Sequence, residues 1–515
     1  MENKFINGIK NETNETLTEN GAIAYKTTNS SLLDLFGCIG ALRTRPSQEI
    51  INKFTKAFAE DQLLAMKMLF YARNIRGGLG ERKTFRIIIK YMADYHTDIM
   101  RKNINLIPIF GRWDDLYSLI GTELEDDMFD LVKEQLKADI ANLHNKKPIS
   151  LLAKWLKSTS GVSIESAKIG KLTAKKLGMS YKQYRQTLSM LREQLNVVER
   201  NMSKDEWDRI VYREISALAM KKYKNAFKEH NLIEFKEYIE KVKNGEETIK
   251  AATLYPYNIM EAAGLETRYS YDSDWRDPAN YYLEKWDEVL EEQWKALPNY
   301  VEGENNIMIM ADTSGSMEGR PLNSAIGLAI YFAERNKGAY KDKFIVFAGN
   351  PEFIELKGTN LAEKVACIPE INACNTSIEK AFDLILDTAV NNNLKQEDLP
   401  KALIIISDME FDSATNELRY YYRIDRKDQI DKHNKLMDEL GQKFFNYGYD
   451  LPKIIYWNVD SRNDVYHATC EQHNVAMISG QSASIFKTVL KSIDEDAYEM
   501  MLNALNDPMY DVVRV

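Results

Sequence analysis

An aspartate closes an apolar run at Asp312, and two serines follow at alternate positions, Ser314 and Ser316, in the stretch IMIMADTSGSM from Ile307 to Met317. Carboxylate and hydroxyl oxygens at that spacing suit a hard divalent cation such as Mg²⁺, with Mn²⁺ or Ca²⁺ as substitutes. Such an ion takes oxygen ligands and, for Mg²⁺, keeps part of its water. Gly315 between the serines is expected to let the turn bring both hydroxyls inward. One aspartate and two hydroxyls make half a shell, so other segments must supply the rest. Asp408 follows the apolar run ALIII, and Thr376 opens an amphipathic stretch in ACNTSIEK. Taken singly, each of these residues reads equally well as a helix cap. All five in this order favour the cation. A phosphatase-like D-x-D-x-T fails at Ser314, and no G-x-S-x-G surrounds either serine.

Such a site needs strands that end together. From Asn305 onward, apolar runs (NIMIMA, KFIVFAG, ALIIIS, KIIYWNV, VAMIS) alternate with amphipathic stretches (NSAIGLAIYFAERN, SIEKAFDLILDTAV, DKHNKLMDELGQKFFNYG). Continuous apolar strands separated by helices predict a parallel sheet covered on both faces. PEFIELKG is expected to add an antiparallel edge strand. Ligands of open α/β sheets sit at the C-terminal strand ends, where Asp312 and Asp408 fall. The last stretch, EDAYEMMLNALNDPMYDVVRV, predicts one more helix and a short tail.

The half before Asn305 is patterned differently. Ile50, Ile51, Phe54, Phe58, Leu63, Leu64, Met66, Met68 and Leu69 recur largely at three-to-four spacing, and Pro46–Ser47 makes a helix start. Helix, turn, helix units follow one another to about Leu297 without a strict period, which points to stacked helical repeats rather than a bundle. The expected division is a flexible arm over 1–29, all-α repeats over 30–300, an α/β unit over 301–494, and a C-terminal helix and tail over 495–515.

D-x-S-x-S, a later threonine and a strand-ending aspartate resemble the metal-ion-dependent adhesion site (MIDAS) of von Willebrand factor A domains, over roughly Asn305 to Asp494. The resemblance implies a Rossmann-like domain. In it Ser314, Ser316 and Thr376 touch the metal, Asp312 and Asp408 hold it largely through waters, and a partner's acidic residue fills the remaining position. The helical half, in TENGAIAYKTTNSSLLDLFGCIGALR, LFYARNIRGGLGERKTFR, IPIFGRWDDLY and NVVERNMSKDEWDRI, resembles an uncharacterised family from bacteria, phages and plants that joins helices to an A domain. More loosely, the domain order is similar to the Ro (TROVE) proteins. That likeness implies a HEAT-like ring or arch and the binding of structured or single-stranded RNA.

The sequence carries a basic stretch that such a role requires. Lys146, Lys147, Lys154, Lys157, Lys168, Lys171, Lys175, Lys176, Lys182, Arg185 and Arg192 fall in a span whose only acid is Glu165, with Trp155, Tyr181 and Tyr184 interleaved. Helical spacing puts Lys168, Lys171 and Lys175 on one face. So one-sided a cluster in an acidic protein is the footprint of a polyanion site, the alternative being a solvated helix face. RNIRGGLGER is a second candidate. Arg73, Arg76 and Arg82 flank glycines whose amides could approach a phosphate, although it lacks the Lys-Ser/Thr ending of a Walker loop and reads equally as a helix corner. GRWDDLY reads as a helix start with Trp113 in the core.

The bulk numbers bound the rest. At 515 residues, with 44 % hydrophobic and 28 % charged residues, the chain reads as globular with more than one core. A net charge of −9 argues against general nucleic-acid affinity and confines any such site to a local face. Cys38, Cys367, Cys374 and Cys470 form no CxxC, so neither zinc nor a disulfide framework is expected and the compartment reads as cytoplasmic. No secretory leader and no membrane span are expected. His467 and His473 flank Cys470, but no fourth ligand is near, and they read as a helix surface. The expectation is an RNA-binding scaffold rather than an enzyme. One alternative is a Mg²⁺-dependent protein-interaction module with structural helices. A weaker one is a Mg²⁺-dependent hydrolase, which usually needs more carboxylates and a positioned water.

Overall fold

Every residue of the apolar strand runs at 307–312, 402–407 and 475–479 is buried, as a parallel sheet with both faces covered demands. The structure, a computed structural model, describes residues 14–160, 163–263, 286–368, 378–411 and 436–515. After a hairpin of β1 (Glu15–Leu17) and β2 (Ile23–Tyr25) come α1 (Ser31–Phe36), a 3₁₀ turn Ile39–Thr44, α2 (Ser47–Glu60), α3 (Gln62–Arg73), α4 (Lys83–Tyr95), α5 (Thr97–Asn103), α6 (Ile107–Phe110) and a 3₁₀ helix Trp113–Leu119. The helices continue with α7 (Glu125–His144), α8 (Leu152–Trp155), α9 (Ile164–Lys176), α10 (Tyr181–Gln194), α11 (Val198–Ser203), α12 (Ala217–His230), α13 (Leu232–Lys243), α14 (Pro256–Ala263) and α15 (Glu288–Lys295).

The α/β part follows as β3 (Ile307–Asp312), α16 (Arg320–Arg335), β4 (Lys343–Phe347), β5 (Glu352–Glu355), α17 (Leu361–Val365), α18 (Ile378–Asn391), β6 (Ala402–Ser407), α19 (Leu436–Asn446), β7 (Lys453–Asn458), β8 (Val475–Ser479), α20 (Ile485–Lys491) and α21 (Ala497–Leu505). The sheet order is β5-β4-β3-β6-β7-β8. All neighbours are parallel except β5, the expected antiparallel edge. Helices then an α/β sheet is the layout expected from the sequence.

The helices form for the reasons their patterns gave. α2 starts after Pro46 and buries Ile50, Phe54, Ala57 and Phe58. Ser180 and Gln183 make a reciprocal capping box at the start of α10.

The two halves share one core. The 3₁₀ turn Ile39–Thr44 lies against the end of β8, where a Cβ on Gly40 would come within 2.6 Å of the Gly480 Cα and the Ser479 carbonyl oxygen. The Ser479 hydroxyl donates to the Phe36 carbonyl at 2.8 Å and accepts from the Gly40 N–H at 3.0 Å. The tail returns to the helices: Tyr510 stacks on Phe110 at 5.4 Å and its hydroxyl accepts from Asn74 at 3.1 Å. The N-terminal arm departs from expectation from residue 14 onward. β1 and β2 pair, Tyr25 bridges to Tyr466, and the Thr18 hydroxyl donates to the Phe411 carbonyl at 2.6 Å. Polar side chains there are spent on main-chain groups of the α/β half, which composition alone could not reveal.

Candidate functional site

Because β3 and β6 are neighbours in register, with Ala311 opposite Ile406, their C-terminal ends bring Asp312 and Asp408 to one sheet edge. The Asp312 carboxylate is fully buried and accepts from the Ser407 hydroxyl at 2.6 Å and the Ser314 N–H at 2.9 Å. The Ser314 and Ser316 hydroxyl oxygens lie 3.2 Å apart. The turn is a short 3₁₀ helix, Gly315–Met317, and Gly319, not Gly315, takes the positive φ of 83° that favours glycine. At the end of β6, Met409 sits at φ 69°, an uncommon conformation for a side-chain-bearing residue. It is held there by its N–H donating to Ser407 Oγ at 3.0 Å and by His467 Nε2, 2.9 Å from its carbonyl oxygen. Burial pulls His467 down to about 4, so its neutral ring donates to that carbonyl.

Electrostatics explain what this edge lacks. Burial, then the nearby Asp408 carboxylate, push Asp312 up to about 7. A cationic side chain leans on the edge. Arg462, on the loop after β7, donates to Asp408 Oδ2 at 2.7 Å and to the Ser316 carbonyl. Asn463 Nδ2 donates to Glu410 Oε1 and to Glu19 Oε1, both at 3.0 Å, so the N-terminal hairpin reaches the rim. Burial raises Glu410, a fully buried carboxylate, above the usual range. Two buried carboxylates, Asp312 and Asp408, beside paired hydroxyls form a donor set that fits a hard divalent cation. Asp312, Ser314, Ser316 and Asp408 are the described residues that would hold it. Thr376 lies outside the described residues. Among the described residues no group of three or more His, Cys, Asp or Glu converges as a metal cluster, so hydroxyls are essential to this set. Sequence reasoning missed Arg462 and Glu410. His467 is buried rather than on a helix surface, and His473 is exposed 3.7 Å from Asp496, so the two histidines do not converge on Cys470.

The basic stretch folds into α8, α9 and α10. Lys168, Lys171 and Lys175 on α9 and Lys182 and Arg185 on α10 are exposed, and none has an ion-pair partner among the described residues. Lys154 and Lys157 are half-buried, Lys154 with its ammonium 5.8 Å from the Trp155 ring. Lys176 is a correction: it pairs with Glu125 at 2.8 Å and Asp126 at 2.7 Å from the facing end of α7, so its charge is already spent. Arg192 donates to the Ala153 and Leu156 carbonyls and ties α10 to α8. Arg73 is the second correction. It ends α3 buried, with both Nε and Nη2 on Asp115 at 2.8 and 2.7 Å, so it holds the fold and faces no ligand. Arg76 and Arg82 are exposed. Arg112, not singled out from sequence, lies over Trp155 with its Cζ 3.9 Å from the ring centre. Trp113 packs on the core, as expected.

Residues 18–131 and 159–306, just over half of the chain, match the model of a domain of unknown function, DUF2828. Residues 306–509 match a second domain of unknown function, DUF7788. An uncharacterised protein of Acanthamoeba polyphaga mimivirus is 29 % identical over 538 aligned positions, which cover 96 % of this chain and 87 % of that protein.

Proposed function

The chain belongs to the DUF2828 family, and from that premise we propose that it is an RNA-binding scaffold. In this reading the helices form a HEAT-like ring or arch that holds RNA, and the α/β half is a von Willebrand factor A-type domain with a Mg²⁺ adhesion site. One observation supports it: Lys168, Lys171, Lys175, Lys182 and Arg185 stand exposed and, among the described residues, without carboxylate partners on two successive helices of an acidic protein. Unneutralised cations on one surface attract a polyanion by counterion release. Phosphate contacts of this kind position RNA without reading its sequence. The chain acts in the cytoplasm in this reading, in keeping with its free Cys38, Cys367 and Cys470. UV cross-linking of bound RNA with peptide mapping tests the surface. Adducts are expected on peptides spanning 164–194, and adducts confined to other peptides would overturn it.

A second reading has its own support. The buried Asp312 and Asp408 beside the Ser314 and Ser316 hydroxyls favour a Mg²⁺-dependent module that captures a partner's acidic side chain. The metal's contribution is a coordination position that a partner carboxylate fills. The chain's own residues hold the charge, through Asp312 and Asp408, and order the turn, through Ser407 and Ser314. Pull-down with and without EDTA tests it, and partners recovered equally in both would exclude a working metal site. Hydrolysis is the least supported reading, because a hydrolytic metal site usually has more carboxylates than Asp312 and Asp408, with a positioned water.

A further inference from the structure

The start of α4 gathers charge of one sign. Around it, among the described residues, stand four guanidiniums, Arg73, Arg82, Arg86 and Arg112, and two carboxylates that face them, Asp114 and Asp115. Three of the arginines consume both acids. Arg73 holds Asp115. Arg86 bridges the two, with Nε on Asp115 at 2.7 Å and Nη2 on Asp114 at 3.0 Å. Arg112 clamps Asp114 at 2.9 and 2.8 Å while lying on Trp155. Arg82 is left over. It is exposed and has no hydrogen-bond or ion-pair partner among the described residues, yet it lies within electrostatic reach of the other three. Partial desolvation among its neighbours, then the Arg73 and Arg86 charges, pull its pKa below the usual arginine value although the side chain reaches solvent. Asp115 shows the converse: burial lifts it, but Arg73 and Arg86 bring it below the ordinary carboxylate range.

Two further observations at the same place ask for an anion. No side chain caps α4, and its first turn holds no acid, although Arg82 and Lys83 sit at the end where the helix dipole disfavours positive charge. The preceding carboxylate, Glu81, is buried against Arg43 and turned to another partner. In the same first turn the Thr84 hydroxyl is fully buried and has no hydrogen-bond partner among the described residues. The four arginines and two aspartates thus carry two positive charges in excess, before the Lys83 ammonium is counted, beside helix N–H groups that no side chain caps.

We propose that the start of α4 is a seat for a phosphate monoester, with Arg82 as its principal ligand and Arg86 and Arg112 beside it. The charge count selects the chemistry. A monoester carries close to two negative charges at neutral pH and matches the excess, whereas a phosphodiester carries one. Guanidinium forks suit phosphate oxygens. The seat stands without the RNA reading. On that reading the monoester is the phosphorylated end of a strand, and the lysines of α9 and α10 hold the chain that follows.

The test measures thermal unfolding of the full chain against inorganic phosphate, at ionic strength held constant with chloride, in wild type and Arg82→Gln. The wild type is expected to gain stability in a saturating manner, as ligand linkage requires. Arg82→Gln is expected to lose that response and, without phosphate, to melt at or above the wild-type temperature, because a repelled charge is gone. No response in the wild type, or an equal response in both proteins (an adventitious ion only), overturns the proposal. A second arm compares RNA oligonucleotides with 5′-phosphate and 5′-hydroxyl ends. Roughly tenfold tighter binding of the phosphorylated one, lost in Arg82→Gln, is expected from a charge-assisted contact. Equal affinities with the phosphate response intact uphold the seat and exclude a strand end as its source.

Discussion

Replacing Lys168, Lys171, Lys175, Lys182 and Arg185 together by glutamine removes five exposed charges that have no ion-pair partner to lose among the described residues. Glutamine keeps good helix propensity, so α9 and α10 should fold as before. Lys168 and Lys175 lie about 10 Å apart along the helix axis, too far for one phosphate to serve both. At one phosphate per cation and about 0.7 per phosphate for single strands, the slope of log K against log salt should flatten by up to about 3.5. Between ~50 and ~200 mM salt, the wild type would then lose roughly 100-fold more affinity than the variant. Filter binding of a labelled single-stranded RNA across that range, with circular dichroism to confirm the helices, reads both quantities. Lys176→Gln serves as a control: its charge is neutralised by Glu125 and Asp126, so it should change the slope by well under one phosphate's worth. An unchanged slope in the five-site variant would refute the assignment and leave the lysines as a solvated helix face.

Three other outcomes follow from the packing. Asp312→Asn keeps one acceptor oxygen, for either the Ser407 hydroxyl or the Ser314 N–H but not both, and should abolish Mn²⁺ binding by calorimetry while the sheet stays folded; equal affinity in both proteins removes Asp312 from the metal site. Because Asp312 is raised to about 7 when metal-free, the native state holds a proton that the unfolded chain has lost, so metal-free stability should fall as pH rises from about 4 to 7. Asp312→Asn should flatten that fall. Asp115→Asn strands the buried Arg73 charge and should cost about 3–5 kcal/mol in urea unfolding, with a loss under ~1 kcal/mol counting against a structural role. Since Asp115 is held below its unfolded value, its contribution is present above about pH 4 and is lost as pH falls through the lower folded pKa. Gly40→Ala drives a methyl into Gly480 backbone and should destabilise by about 1–3 kcal/mol, and a neutral effect would mean the joint between halves is looser than its contacts imply.

The five parallel strands were legible because each is a short apolar run between turn signals, and burial on both faces leaves no other use for such runs, whereas the antiparallel edge β5 buries Ile354 alone. Asp312 and Asp408 could be placed at one edge for the same reason: each ends a strand. Arg462 could not, since it lies 54 residues from Asp408 on an irregular loop and meets it only through the β6–β7 pairing. Arg73 misled because its neighbours are glycines and a hydrophilic loop. Its true partner, Asp115, is 42 residues away, and only packing of α3 against the Trp113–Leu119 turn reveals the pair. The same applies to Arg82, Arg112 and Trp155, which come from three separate segments. The hairpin of residues 15–25 was hidden by its polar composition, because hydrogen bonds to the α/β half hold it and only Ala22, Ala24 and Tyr25 add to the apolar core.

The central claim is that this acidic chain holds RNA, and fluorescence anisotropy of a labelled single-stranded RNA with the unaltered full-length protein tests it most directly. Salt-dependent attachment through phosphates predicts dissociation constants of about 1–100 μM at physiological salt, tightening steeply as salt is lowered to ~50 mM. No change in anisotropy at ~50 mM salt, with protein well above that range, would contradict the claim and leave metal-dependent capture of an acidic protein partner as the function.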